Sequence, residues 1–235
     1  MKGFTLVEIS IVLAILALLI GGMLIPISAQ IEQQKIVDTR QSIDLIREAL
    51  VGYAVAYGYL PCPAISATNG QEGRTSGTCA SQVGFVPWVT LGTPQLDAWG
   101  NLFGYRVSPQ FSNQPITLTS SANITILTRA PVTFNLVTLS NCSEIPAVVL
   151  SHGKDGFGAT SAQGIAQLAP PSQNVDEITN WNGTVASPPC SGSNYFVSRT
   201  PVQDSTVNGG AFDDIVDWLS PYVLFDRMVS GGKLP

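Results

Sequence analysis

The chain has 235 residues and a net charge of −5, and only 11% of it is charged, against roughly 25% in typical soluble proteins. With no cluster of Lys or Arg, that balance argues against nucleic acid as a partner. A single His and four Cys without a CxxC spacing argue against a zinc module.

From Phe4 to Ile27 the polar side chains are Thr5, Glu8 and Ser10. Such a run makes about 36 Å of helix, enough to span a bilayer. An acidic residue at the centre of a membrane helix costs about 2.5–3.5 kcal/mol, and less near its end. Glu8 therefore needs a partner, and nothing else in the segment offers one. An ordinary secretory signal has a shorter apolar core followed by a small-residue cleavage site, which is not clear here. A plain membrane anchor explains the hydrophobicity and Lys2 but not Glu8. Lys2 adjoins the apolar run directly, while Lys35 and Arg40 lie beyond it, so the positive-inside rule gives a mild vote for a cytoplasmic amino terminus.

Gly3-Phe4-Thr5-Leu6-Val7-Glu8 resembles the class III signal of type IV pilins and type II secretion pseudopilins. The resemblance implies that a membrane prepilin peptidase cuts after Gly3 and methylates the new amino terminus on Phe4. It also implies that Glu8 pairs with the amino terminus of a neighbouring subunit during filament assembly. A buried amine and a buried carboxylate offset each other's desolvation only if they meet.

Pro26, near the end of the apolar run, is expected to kink the helix rather than end it. Beyond it Ile36, Ile43, Ile46, Leu50, Tyr53 and Tyr57 follow a 3–4 spacing, with Thr39 filling the missing step. That is one apolar stripe on a continuing helix. Gly58 and Pro61-Cys62-Pro63 end it. A helix from Phe4 to Tyr57 is about 80 Å long.

Cys62, Cys79, Cys142 and Cys190 allow three pairings. In an exported domain two disulfides are the default. Cys62–Cys79 closes a short polar loop and Cys142–Cys190 a long one, and this is the pairing favoured here.

Most of the remainder reads as strands and loops. Asp97-Ala98-Trp99-Gly100-Asn101 holds a turn pair and resembles the Asp-x-Trp-Gly turn before a strand in major pseudopilins. Phe103, Tyr105 and Val107 alternate as one strand face, as do Ile116 with Leu118, Ile124 with Ile126, and Phe134 with Leu136. Residues 147–150 suit a central strand and 195–197 another. Residues 159–189, rich in Gly, Pro, Ser, Asn and Gln, read as a long surface insertion. Residues 213–219 look extended. Ser220 then reads as an N-cap with Pro221 at the first helical position, opening a short terminal helix that Gly231 ends. This ending, with Leu60-Pro61-Cys62-Pro63-Ala64, resembles a set of large pilin-like proteins from Gram-negative bacteria.

Ser151, His152 and Asp155 sit too close in sequence to converge from separate elements as a triad must, so no enzyme is expected. Major pseudopilins bind calcium in a carboxyl-terminal loop, and by that resemblance Asp155, Asp213 and Asp214 are candidate ligands. No dense Asp-x-Asp loop exists, and the plainer reading makes Asp155 a turn former and Asp213 an exposed cap. No other cofactor is expected.

The expected fold is α+β and pilin-like. A long amino-terminal helix, half transmembrane and half amphipathic, packs on an antiparallel β-sheet, and a short helix closes the chain. The expected divisions are a leader at 1–3, a transmembrane segment at 4–27, the amphipathic half at 28–58 and a periplasmic domain at 59–235. The function implied by the resemblance is a pilin-like subunit of a type IV pilus or type II secretion pseudopilus, minor rather than major. Its partners are other pilin or pseudopilin subunits along the amino-terminal helix, the peptidase and the inner membrane. It sits in the inner membrane, single-pass, or in an extracellular filament after assembly. The alternative is a membrane-anchored periplasmic binding protein that does not polymerise.

Overall fold

A computed structural model describes residues 5–129, 133–135, 144–185 and 194–235, with the side chains of 20–27 and 133–135 left aside. Gly3, Phe4, Cys142, Cys190 and Leu136 thus lie outside the described residues, and the side chain of Pro26 is not described. The first helix, α1 (Leu6–Tyr57), includes the position of Pro26. The chain divides into two compact units, Met1–Asp38 and Thr39–Pro235.

In the first unit the side chains of residues 5–19 are exposed. Among the described residues no helix is long and apolar enough to cross a membrane. The described part of the apolar run, residues 5–19, is shorter than the roughly 20 residues that a span requires.

The second unit begins with the remainder of α1, residues 39–57. Here the stripe is buried at Thr39, Ile43, Ile46 and Leu50, joined by Val51 and Ala54. Tyr57, the last member of the predicted stripe, is exposed. Its ring lies 4.4 Å, centre to centre, from that of Tyr53.

Beyond the helix, a two-stranded ribbon, β1 (Arg74–Thr75) and β2 (Thr78–Cys79), is tied back by the Cys62–Cys79 disulfide. Glu72 braces the same loop. It accepts from the Tyr53 hydroxyl, the Cys62 N–H and the Arg74 guanidinium. Arg74 also lies over the Tyr59 ring, 4.3 Å from its centre.

The main sheet is antiparallel, in the order β3 (Val83–Phe85), β4 (Gly104–Val107), β7 (Ala147–Ser151), β9 (Ile215–Leu219). A second sheet runs β6 (Thr133–Asn135), β5 (Ile124–Arg129), β8 (Asn194–Val197). Its β5–β8 pair is parallel, which departs from the antiparallel expectation. Short helices α2 (Trp88–Leu91) and α3 (Pro109–Ser112) occupy the loops around β4. Residues 88–91 therefore form a helical turn, and Ile116–Leu118 forms no strand.

The alternation of strand side chains separates two cores. Tyr105, Val107, Ala147, Val149 and Leu219 join the α1 stripe in one. Val148, Leu150, Val216 and Trp218 meet Ile124, Ile126 and Phe196 of the second sheet in the other. Both faces of β7 are thus covered, which is why residues 147–150 read as an unbroken apolar run. The terminal helix α5 (Pro221–Ser230) begins at Ser220 with Pro221 in its first turn. It adds Leu224 and Met228 to the α1 core.

The stretch read as a surface insertion is only partly one. It contains α4 (Val175–Asn182), in which Asp176, Glu177, Thr179 and Asn180 are buried. A docking face made of polar residues leaves no apolar period to detect.

Candidate functional site

Two places carry chemistry. The first is the start of α1. The Thr5 N–H donates to Glu8 Oε2 at 2.8 Å and the Thr5 hydroxyl donates to the same oxygen at 2.9 Å, while the Glu8 N–H donates to Thr5 Oγ1 at 3.3 Å. This is a reciprocal capping box, with Thr5 at the N-cap and Glu8 three residues on. It corrects the expectation that nothing in the segment partners Glu8. The helix start leaves backbone donors without intrahelical acceptors, and the carboxylate satisfies one of them. Gly3 and Phe4, the expected cleavage and methylation positions, lie outside the described residues.

The second place is a loop cluster in the second unit. After β7 the chain turns through residues 152–156, with the Gly156 N–H donating to the His152 carbonyl. Asp155 accepts from the Phe157 N–H through Oδ1. Its own N–H donates to Asp213 Oδ2 at 2.9 Å, across 58 positions of sequence. Gly153 permits this approach. Its φ is +60°, and a Cβ there would stand 2.3 Å from the Asp213 carbonyl oxygen.

Glu177 of α4 completes the cluster. Carboxylate oxygens of Asp155, Glu177 and Asp213 lie within 4.8 Å of one another. Asp155 is exposed, Asp213 half-buried and Glu177 1% exposed. Burial pushes the Glu177 carboxyl up to about 8, helped by the charges of Asp155, Asp214 and Asp213. Burial likewise lifts Asp213 to about 7 and raises Asp155. Asp214 is directed elsewhere. It accepts from the Asn180 amide at 2.7 Å, and its other oxygen faces His152 Nδ1 at 3.5 Å. Ser151 donates to Asp97, so Ser151, His152 and Asp155 have three different partners and form no relay.

The cluster passes a test for a hard divalent cation, whose ligands are oxygens. Asp213 Oδ1 and Glu177 Oε1 are both buried without a hydrogen-bond partner, a state that is strongly unfavourable for ionised oxygens unless something compensates them. Of the three candidates the sequence offered, the structure brings Asp155 and Asp213 together and leaves Asp214 out, and it adds Glu177, which the sequence reading did not include. The signals for a helix there were local: Asn174 before it, acidic residues in its first turn and Gly183 after it.

The Asp97 turn is structural. Asp97 Oδ1 accepts from the N–H groups of Trp99 and Asn101. The Ala98 N–H donates to Thr39 Oγ1 of α1, which explains a buried threonine in the apolar stripe.

Residues 1–24 match the prokaryotic N-terminal methylation motif. That match supports the resemblance of the amino-terminal segment, Glu8 included, to type IV pilins and pseudopilins, and it covers residues 1–24 and none of the domain that follows. The chain is thus one with a prepilin-type amino terminus followed by an α+β domain. No curated protein and no solved structure matches the chain.

Proposed function

We propose that this chain is a pilin-like structural subunit, cut by a prepilin peptidase after Gly3, methylated on Phe4 and assembled as a minor subunit of a type IV pilus or type II secretion pseudopilus. The observation that carries this reading is the methylation motif over residues 1–24, with Glu8 inside it. The exposed apolar side chains of residues 6–19 support it, because lipid or neighbouring helices are what such a surface suits. In this reading the helix is first a single inner-membrane anchor with a periplasmic domain, and later part of the filament's packed centre. The Cys62–Cys79 disulfide fits an oxidising compartment, and Cys142–Cys190 is its proposed companion. The length of the domain and the added α4 support a minor subunit over a major one. No step in this work is catalytic.

Asp155 and Asp213 are read as ligands of a calcium ion. Bound there, calcium supplies positive charge that holds the loop after β7 against the segment before β9.

A specific feature favours the alternative, a membrane-anchored binding protein. A cavity of about 230 Å³ lies over β3, β4 and β7, walled by Arg106, His152 and Trp181. Mass spectrometry of the native amino terminus separates the two readings at their first step. A subunit starts at methylated Phe4, and replacing Gly3 by a bulky residue leaves the precursor uncut. Protein recovered from filaments with Met1 intact would contradict the assembly reading.

A further inference from the structure

The buried polar residues of α4 dock it by distinct bonds. Asp176 is fully buried and held by Arg129, whose Nη2 lies 2.6 Å away, and by Arg199, whose Nε lies at 2.7 Å. Asn180 donates to the Val197 carbonyl and accepts from the Val197 N–H, so α4 is tied to β8. Thr179 donates back to the Val175 carbonyl. Glu177 differs. Its Oε2 accepts from the Asn174 amide at 2.7 Å, but its Oε1 is buried and has no partner. That oxygen belongs to a carboxylate grouped with Asp155 and Asp213. The other buried polar side chains of α4 are bonded, whereas Glu177 keeps one buried oxygen unpartnered while its carboxylate lies within 4.8 Å of two more acids.

We infer that Glu177 is a ligand of the same cation as Asp155 and Asp213, so that a bound divalent ion of the calcium class clasps α4 to the loop after β7. The inference rests on the calcium reading of Asp155 and Asp213 and adds a third protein ligand from a separate element. The chemistry selects the ion. Three carboxylates and no nitrogen or sulfur favour a hard cation, and calcium takes six to eight oxygens at flexible geometry. Backbone oxygens and water supply the rest, and the exposed Asp155 side gives them access. Removing the ion leaves three carboxyl groups crowded together. Without the ion the cluster relieves its charge by taking up protons or by loosening Glu177 from the loop after β7, while the Asp155 N–H stays bonded to Asp213 Oδ2. Trp181 on α4 walls the cavity described above, so the same ion sets the shape of that cavity.

The experiment uses the full chain in detergent, stripped with chelator and titrated with calcium chloride by calorimetry. Hydrogen exchange of residues 175–182 is measured with and without calcium, and magnesium chloride serves as a second probe. Wild type is expected to bind calcium and to gain protection over α4. Glu177→Gln keeps the shape of the side chain and is expected to bind calcium at least tenfold more weakly, the lower end of what even outer-shell partners contribute, with the protection lost. Asp204→Asn, at an exposed acid that accepts from Thr206 and lies outside the cluster, is expected to behave as wild type. A melting curve of Glu177→Gln in chelator checks that it folds, and Asp155→Asn provides a second loss of ligand at an exposed position. Equal binding by wild type and Glu177→Gln would overturn the role of Glu177 while leaving Asp155 and Asp213 as calcium ligands. Absence of calcium binding by wild type would overturn both.

Discussion

In residues 6–19 of α1, Leu6 is 85% exposed and Leu18 78%, whereas Ile46, Leu50 and Ala54 further along are at most 1% exposed. From Thr39 onward each buried apolar residue meets a sheet, a loop or α5, and the charged residues lie off that stripe. Arg47, for instance, reaches Asp217 of β9 at 2.8 Å. In residues 6–19 the apolar side chains surround the helix on all sides. A helix that is hydrophobic all round belongs in a membrane or among other helices. One element therefore carries two kinds of surface, one matched within the chain and one suited to partners outside it.

That comparison is broken most sharply by truncating one side chain on each stretch. Ile46→Ala is expected to destabilise the domain by about 2–5 kcal/mol through the cavity it leaves. Leu16→Ala is expected to leave domain stability within about 0.5 kcal/mol. Thermal melts of both variants in detergent check this, and equal losses would erase the distinction.

A second test concerns how the domain is stapled. Cys62→Ser opens the loop to Cys79, 17 positions away, and is expected to lower domain stability by about 3 kcal/mol. A denaturant midpoint measured against wild type reads it. The Glu72 bonds to Tyr53, Cys62 and Arg74 are expected to keep the ribbon in place, so the cost falls on stability rather than on fold.

The acidic cluster gives a pH dependence confined to the second unit. Folding raises Glu177 to about 8 and Asp213 to about 7, against ordinary values near 4. The folded state therefore holds these protons to higher pH than the unfolded chain does. In chelator, the stability these protons confer is complete below about pH 4 and declines as pH rises to about 8. Calcium should flatten that decline, because a bound cation favours the ionised form. Melting temperatures at pH 5 and pH 8, with and without calcium, show whether it does.

The smallest expected effect belongs to the first unit. Thr5→Ala removes the N-cap, worth about 0.5–2 kcal/mol to the start of the helix. Hydrogen exchange at the first turn of α1 should rise while the domain's melting temperature stays unchanged.

Much of this arrangement was legible in the sequence because it rests on apolar patterning and local caps. The alternation at Phe103, Tyr105 and Val107 gave a strand and its buried face. The apolar run at 147–150 gave the central strand, and Ser220-Pro221 gave the start of α5. Other features are set by partners that a local pattern does not encode. The parallel pairing of β5 with β8 joins segments about 70 residues apart. The docking face of α4 is polar, so low hydrophobicity disguised a packed helix as a loop. Glu177 joins Asp155 and Asp213 only once α4 is in place, and Asp214, adjacent to Asp213 in sequence, faces away toward Asn180 and His152. At the amino end the spacing of Thr5 and Glu8, three residues apart, already contained the capping box.

On the proposed function, Glu8 serves assembly rather than the fold of the domain. Its capping bonds to Thr5 are confined to the helix start, and the domain core begins at Thr39. The most direct measurement expresses Glu8→Ala beside wild type and compares the amount of each in sheared filaments with the amount in membranes. The account predicts equal membrane levels, an intact Cys62–Cys79 disulfide, an unchanged domain melting temperature, cleavage after Gly3 largely retained, and a sharp loss of Glu8→Ala from filaments. Equal incorporation of the two proteins would contradict it and would shift the weight to a membrane-anchored binding protein.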